Sequence, residues 1–217
     1  MFKRLLFAAA ASLFASALSA QPLLYQEGVH YFKIEPAQPS NPPPGKVEVT
    51  EVFSYACIHC ANFEPLVGKW KKDMPAQASF DYLPAVFNQT WEAFARAYYA
   101  AKVLGVLDKS HDALFDAVFV EKLQLRTVAD LAKFFERFGK SSDEALKAMN
   151  SFSVTTSVER AKRQAMAYQV DGTPTVVVAG KWRVTGASAG SQEAVFKVVD
   201  YLVGMEAARL PKATAGN

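Results

Sequence analysis

Both cysteines of the chain stand two residues apart, as Cys57-Ile58-His59-Cys60, and there is no other thiol in the 217 residues. An apolar run, Val47-Glu48-Val49-Thr50-Glu51-Val52-Phe53, leads into the pair, and a segment with Phe63, Leu66, Val67 and Trp70 on one side follows it. Thiols at a strand-to-helix junction are placed for disulfide exchange. A helix N-terminus carries unpaired N–H groups and a partial positive charge, which together stabilise an anion. Cys57 sits where those groups point, so its thiol should ionise more easily than a free one and act as the nucleophile. Cys60, one turn further in, suits a resolving thiol.

Two other readings of the pair are weaker. A static disulfide closing a two-residue loop gives about 2 kcal/mol or less by loop-length scaling. A structural zinc ion wants four ligands, and the chain has no second Cys/His cluster. No metal and no organic cofactor are therefore expected for the exchange chemistry, since the Cys57–Cys60 disulfide carries the electrons itself.

Two further residues are candidates for acid–base or electrostatic work. His59, between the cysteines, can donate to the Cys57 thiolate or sit charged beside it. A thiolate stabilised in this way favours only the reduced protein, so it makes the disulfide a stronger oxidant. A pKa of ~4 would favour the reduced state at pH 7 by about 4 kcal/mol, or roughly 90 mV. Glu51 falls in phase with Val47, Val49 and Phe53, so it should point into an apolar layer and hold its proton unusually tightly, the alternative being a strand-end glutamate that reaches solvent. It could then exchange that proton with Cys60. Far along the chain, Thr173-Pro174 stands at the mouth of the strand-like run Thr175-Val176-Val177-Val178, where a proline is tolerated.

The elements that must position these residues can be read from composition and period. Lys3 and Arg4, the apolar stretch from Leu5 to Leu18 and the small residues after it read as a secretory signal peptide over residues 1–20. The apolar stretch is shorter than the ~20 residues a membrane span needs. Without Lys3 and Arg4, 22 basic residues face 21 acidic ones, a balance that points to no nucleic-acid partner. Export into an oxidising compartment would let a disulfide persist. Hydrophobic residues make up 51% of the chain, enough for a core that needs no staple.

After the signal, Val29 to Ile34 reads as a short strand, and five prolines between Pro36 and Pro44 as an extended connector. The run Val47–Phe53 has apolar residues on both faces, as a central strand should. A helix from Cys57 to Lys72, kinked at Pro65, and a strand from Ser79 to Leu83 complete a first part over residues 21–88. Helical period then dominates residues 89–170, with Thr127 and Asp130, and Ser141 and Glu144, spaced as capping boxes. Strand character returns in residues 171–217, with a hairpin turning at Ala179-Gly180-Lys181, a final helix capped by Ser191 and a loose tail from Ala213 to Asn217.

A strand ending in CxxC, a helix interrupted by Pro65, and a later Thr-Pro before a hairpin and final helix resemble the thioredoxin fold. The helical insertion, the histidine in Cys57-Ile58-His59-Cys60, the preceding Glu51-Val52-Phe53 and the signal segment resemble the DsbA family of periplasmic disulfide oxidoreductases. The resemblance implies an α/β thioredoxin fold with an inserted all-helical subdomain. It implies an exposed nucleophile at Cys57, a resolving Cys60, a thiolate-stabilising His59 and a buried acid at Glu51. Thr173 and Pro174 would form the cis-proline loop that docks substrate, with Ile58 beside it. Ile58 replaces a proline common in the family, and Asp81 stands where a lysine often partners the buried acid.

The expected protein is thus a monomeric periplasmic thiol:disulfide oxidoreductase that donates its disulfide to unfolded exported proteins. A membrane quinone reductase of the DsbB type would reoxidise it. The alternatives are a reductase or isomerase of the same fold, and a peptide-binding chaperone.

Overall fold

The structure, a computed structural model, describes residues 24–211. The expected signal segment over residues 1–20 and the tail from Ala213 to Asn217 lie outside the described residues. Among the described residues, no helix is long and apolar enough to cross a membrane.

Five strands form one mixed sheet: β1 (Phe32–Lys33), β2 (Val47–Phe53), β3 (Ala78–Pro84), β4 (Thr175–Val178) and β5 (Trp182–Thr185). Their order is β1-β5-β4-β2-β3, with β2 and β3 parallel and the other neighbours antiparallel. β2 is paired on both sides and almost wholly buried, which is why Val, Phe and even Glu51 can occupy both of its faces. Val178 and Lys181 close the β4–β5 hairpin across Ala179 and Gly180, both with positive φ. That is the twist a two-residue hairpin requires.

The first strand is shorter than the sequence suggests. Val29 and His30 donate their amide N–H groups to the Gln26 carbonyl, in a turn that contains Gly28 at φ 79°. The chain enters extended geometry only afterwards, and only Phe32 and Lys33 pair with β5. The described structure has two cis X-Pro bonds, Glu35–Pro36 and Thr173–Pro174.

Helix α1 (Ile58–Asp73) runs through Pro65 without ending and buries Cys60, Phe63, Val67 and Trp70. On the same side of the sheet lies the last helix, α8 (Val195–Ala207). Phe196 of α8 stacks on Phe63 and on Trp70, with ring centroids 5.2 and 4.6 Å apart, and Trp70 Nε1 donates to Asp200 at 2.8 Å. Burying an aromatic or aliphatic side chain of this kind contributes about 1.5–3 kcal/mol, so the helix carrying the cysteines is firmly seated. Ser191 does not cap α8 as expected. Its hydroxyl accepts from Ala194 N–H in a preceding turn, and the helix starts at Val195.

Between β3 and β4 the chain is helical: α2 (Gln89–Leu104), α3 (Leu107–Phe119), α4 (Val128–Phe134) with a 3₁₀ turn (Phe135–Phe138), α5 (Ser142–Met149) and α6 (Phe152–Ala167). Thr127 and Asp130 make a reciprocal capping box, whereas Ser141 accepts from Glu144 N–H without the return bond. A four-residue helix, α7 (Gly186–Ala189), follows β5. The hydrophobic core divides accordingly. One cluster lies between the sheet, α1 and α8, and another fills the helical block and extends to Phe53, Tyr55, Cys57 and Cys60. The cysteine pair therefore sits at the seam between the two parts.

Candidate active site

β2 ends at Phe53, and Ser54 to Ala56 turn the chain so that Cys57 N–H reaches the Ser54 carbonyl at 3.0 Å. Cys57 is the N-cap of α1, with extended backbone at φ −104° and ψ 111°, and no side-chain oxygen competes there for the free N–H groups. The first turn is held from outside by Gln192, whose Nε2 donates to the His59 carbonyl at 3.1 Å. Both thiols are free, so the structure shows the dithiol state.

The two sulfurs have opposite surroundings. Cys57 is 9% exposed and Cys60 is fully enclosed. Cys57 is thus more covered than the exposed nucleophile implied by the resemblance, because the Thr173 segment lies against it, with Sγ donating to the Thr173 carbonyl at 3.4 Å. Its thiol is nevertheless lowered to about 5. The hydrogen bond from the Cys60 thiol is the largest cause. Burial opposes it, and the Thr173 side chain and the backbone N–H groups of Cys60 and His59 add to the lowering. The Thr173 hydroxyl is buried with no other partner, so it is available to donate once the sulfur is charged. Cys60 is pushed up, first by burial and then by its hydrogen bond to Cys57 and the neighbouring Glu51.

His59 reaches the sulfur through its main chain. Its contribution to the sulfur is its main-chain N–H, and among the described residues no hydrogen bond joins its exposed imidazole to Cys57. The ring instead lines a cleft of about 670 Å³ with Phe32, Thr173, Pro174, Arg183 and Gln192. Ile58, 44% exposed, flanks the cysteines on the surface. The cleft is bounded by the Thr173–Pro174 loop, whose Thr173 carbonyl touches Cys57 Sγ.

Glu51 lies at the centre of β2, paired with Tyr82 on one side and Val176 on the other. It is fully buried, and neither carboxylate oxygen has a hydrogen-bond partner. Burial raises its pKa well above the usual carboxylate range, the charges of Glu64 and Cys57 add to that, and Lys71 opposes them. The acid therefore holds its proton more tightly than a free carboxyl, and it lies close enough to the cysteines for their charges to act on one another. Asp81 takes no part in this. Its side chain is 61% exposed and pairs with Lys102 at 3.6 Å.

A polar group beneath the site was not anticipated from the sequence. Tyr82 Oη donates to Glu64 Oε1 at 2.5 Å, and Tyr55 Oη and His111 Nδ1 share a hydrogen bond at 2.7 Å. One signal for it was present: Glu64 follows Cys60 by four residues, which puts both on one helix face.

A protein-family model described as "DSBA-like thioredoxin domain" matches residues 71–194, a span that begins beyond the cysteine pair. The chain is 38% identical over 204 residues to the thiol:disulfide interchange protein DsbA of Pseudomonas aeruginosa, covering 94% of this chain and 95% of that one. It is also 38% identical over 201 residues to the protein of the same name from Azotobacter vinelandii, covering 91% and 94%. The crystal structure of Pseudomonas aeruginosa DsbA superposes with a TM-score of 0.80, covering 87% of this chain and 97% of that one at 38% identity. The structure of oxidoreductase DsbA from Xylella fastidiosa gives 0.77 at 36% identity, covering 82% and 96%. With the thioredoxin-type sheet, the helical insertion and the cysteine pair at their seam, these matches establish that the chain belongs to the DSBA-like thioredoxin domain family.

Proposed function

We propose that this protein is a thiol:disulfide oxidoreductase that donates its Cys57–Cys60 disulfide to unfolded exported proteins. The observation that carries the reading is the asymmetry of the two sulfurs, one stabilised as a thiolate at a helix N-terminus and the other buried and held protonated.

A client thiolate attacks Cys57 Sγ, forming a mixed disulfide and breaking the Cys57–Cys60 bond. The electron pair of that bond leaves on Cys60, which strongly prefers the neutral thiol and so takes up a proton. Glu51, whose proton is held more tightly than that of a free carboxyl, is the nearby donor. A second client thiolate then attacks the client sulfur, the client leaves oxidised, and Cys57 departs as the stabilised thiolate. Two electrons have moved to the protein. Relative to an undissociated thiol, a pKa of about 5 favours the reduced state at pH 7 by at most about 3 kcal/mol, or roughly 60 mV, less whatever solvent screening removes. The sign makes the disulfide more oxidising, which favours the donor reading over the reductase and isomerase readings.

The client's backbone lies along the Thr173–Pro174 loop and the cleft beside it. The exchange needs no organic cofactor. The protein works in the periplasm as a monomer after loss of residues 1–20, and a DsbB-like membrane quinone reductase restores the disulfide. The test is a redox equilibrium with glutathione combined with oxidation of a reduced, unfolded client. A potential well above that of thioredoxin, with activity lost in Cys57→Ser, supports the proposal. A thioredoxin-like potential removes it, and activity retained in Cys57→Ser favours a chaperone.

A further inference from the structure

We infer that Glu64, His111 and Asp112 form a divalent-metal site, suited to zinc, that clamps α1 to α3. One donor atom from each of the three side chains lies within 4.8 Å of the others. Glu64 belongs to α1, the helix that starts at the cysteines, and His111 and Asp112 belong to α3 of the helical block.

Acidic groups near one another are common, and the imidazole is what distinguishes this cluster. The His111 side chain is only 8% exposed, and its Nε2 is enclosed without a hydrogen-bond partner. Glu64 Oε2, which faces it, is likewise buried and unpartnered. The two atoms stand 3.4 Å apart, long for a charge-assisted hydrogen bond, which is about 2.7–2.9 Å. Ligands at 2.0–2.1 Å from one tetrahedral zinc ion are roughly 3.3 Å from each other. The observed separation therefore matches two ligands of one ion better than a direct bond.

The remaining atoms are arranged to suit. The hydroxyl of Tyr55, itself buried, holds His111 Nδ1 at 2.7 Å. A tyrosine hydroxyl can accept, which permits the tautomer with the proton on Nδ1 and the lone pair of Nε2 turned to the metal. Such a second partner is the usual companion of a metal-binding histidine. Tyr82 fixes the other Glu64 oxygen at 2.5 Å, leaving Oε2 free. Asp112 is exposed and can swing in, and the fourth position is left to water. Nitrogen from one histidine with two carboxylates is a donor set zinc accepts. Lys71 also lines the cavity of about 380 Å³, but its ammonium lies over the rings of Phe80 and Tyr82, at 5.4 and 5.2 Å from their centroids.

The proposed ligands include neither cysteine, so the test uses the oxidised full protein, in which the Cys57–Cys60 disulfide keeps both sulfurs from binding metal. Calorimetric titration with zinc sulfate should show one ion bound per chain with a micromolar or tighter Kd. Glu64→Gln, His111→Gln and Asp112→Asn should each weaken it at least tenfold, and zinc should raise the melting temperature of the parent but not of the variants. If His111→Gln does not fold, Asp112→Asn, altered only at an exposed side chain, carries the test. No zinc uptake at millimolar concentration would overturn the inference and leave Glu64 and His111 as a direct contact alone. Uptake that all the variants retain would overturn it equally, by placing the ion elsewhere.

Discussion

Two glutamates are buried in this molecule, and they are treated differently. Glu206 on α8 is 4% exposed. Its oxygens accept from Lys181 Nζ at 2.6 Å, Trp182 Nε1 at 2.9 Å and Arg209 Nη1 at 2.7 Å. Burial pushes its pKa up, but these partners outweigh that and hold it below the usual range. Glu51 has no such partner, and burial with the Glu64 and Cys57 charges drives it the other way. A structural carboxylate is given hydrogen bonds that fix its charge, whereas the one beside the cysteines is denied them and holds a proton more tightly.

The comparison breaks most strongly at Glu206. Glu206→Ala leaves the Trp182 donor and two cations without their acceptor and should cost about 3 kcal/mol in urea unfolding, with the Cys57 titration unmoved. The pH sign follows from the lowered pKa. The contribution of Glu206 is present above the ordinary carboxylate range and disappears as pH falls through the folded value, so the variant should lose less stability in acid than the parent.

Glu51→Gln should act in the opposite direction. The folded state retains a proton that the unfolded chain releases, so Glu51 costs stability increasingly as pH rises above the ordinary carboxylate range. The amide removes that dependence and should stabilise the fold at pH 7 by about 1–3 kcal/mol, while slowing disulfide transfer to a client about tenfold through loss of the proton donor. Urea melts at several pH values and stopped-flow oxidation of a model peptide measure the two effects. A gain in stability with an unchanged rate would make Glu51 merely buried.

Smaller changes are expected around the nucleophile. Thr173→Val removes the unpartnered hydroxyl and should raise the Cys57 pKa by about one to two units, the worth of a hydrogen bond to a charged group. His59→Ser keeps the main-chain N–H and removes an exposed imidazole, so the rise should be about one unit or less. Alkylation rate against pH separates them, and a larger effect at His59 than at Thr173 would reverse the assignment of roles.

What could be read from the sequence follows from the range of each interaction. The CxxC turn, the Thr127–Asp130 capping box and the Ala179–Gly180 hairpin are local, and a few residues specify each. The burial of Glu51 was legible because a strand alternates and its neighbours in phase are Val49 and Phe53. The Tyr55–His111 and Tyr82–Glu64 contacts join residues far apart in the chain, and no spacing rule reveals them. Adjacency in sequence does place the His59 main-chain N–H against the sulfur, while the direction its ring takes is set by distant residues and no spacing rule reveals it. Val29 and His30 have strand-forming types, but Gly28 turns the chain at that point and tertiary pairing begins only at Phe32.

The central claim is that the Cys57 sulfur is a thiolate at neutral pH. Titration of the reduced protein by thiolate ultraviolet absorbance, with the oxidised protein as the blank, tests it directly. One sulfur should ionise with a midpoint near pH 5, while Cys60 stays protonated through the neutral range. A single transition near the ordinary thiol value of about 8.5, or two sulfurs titrating together, would contradict the account.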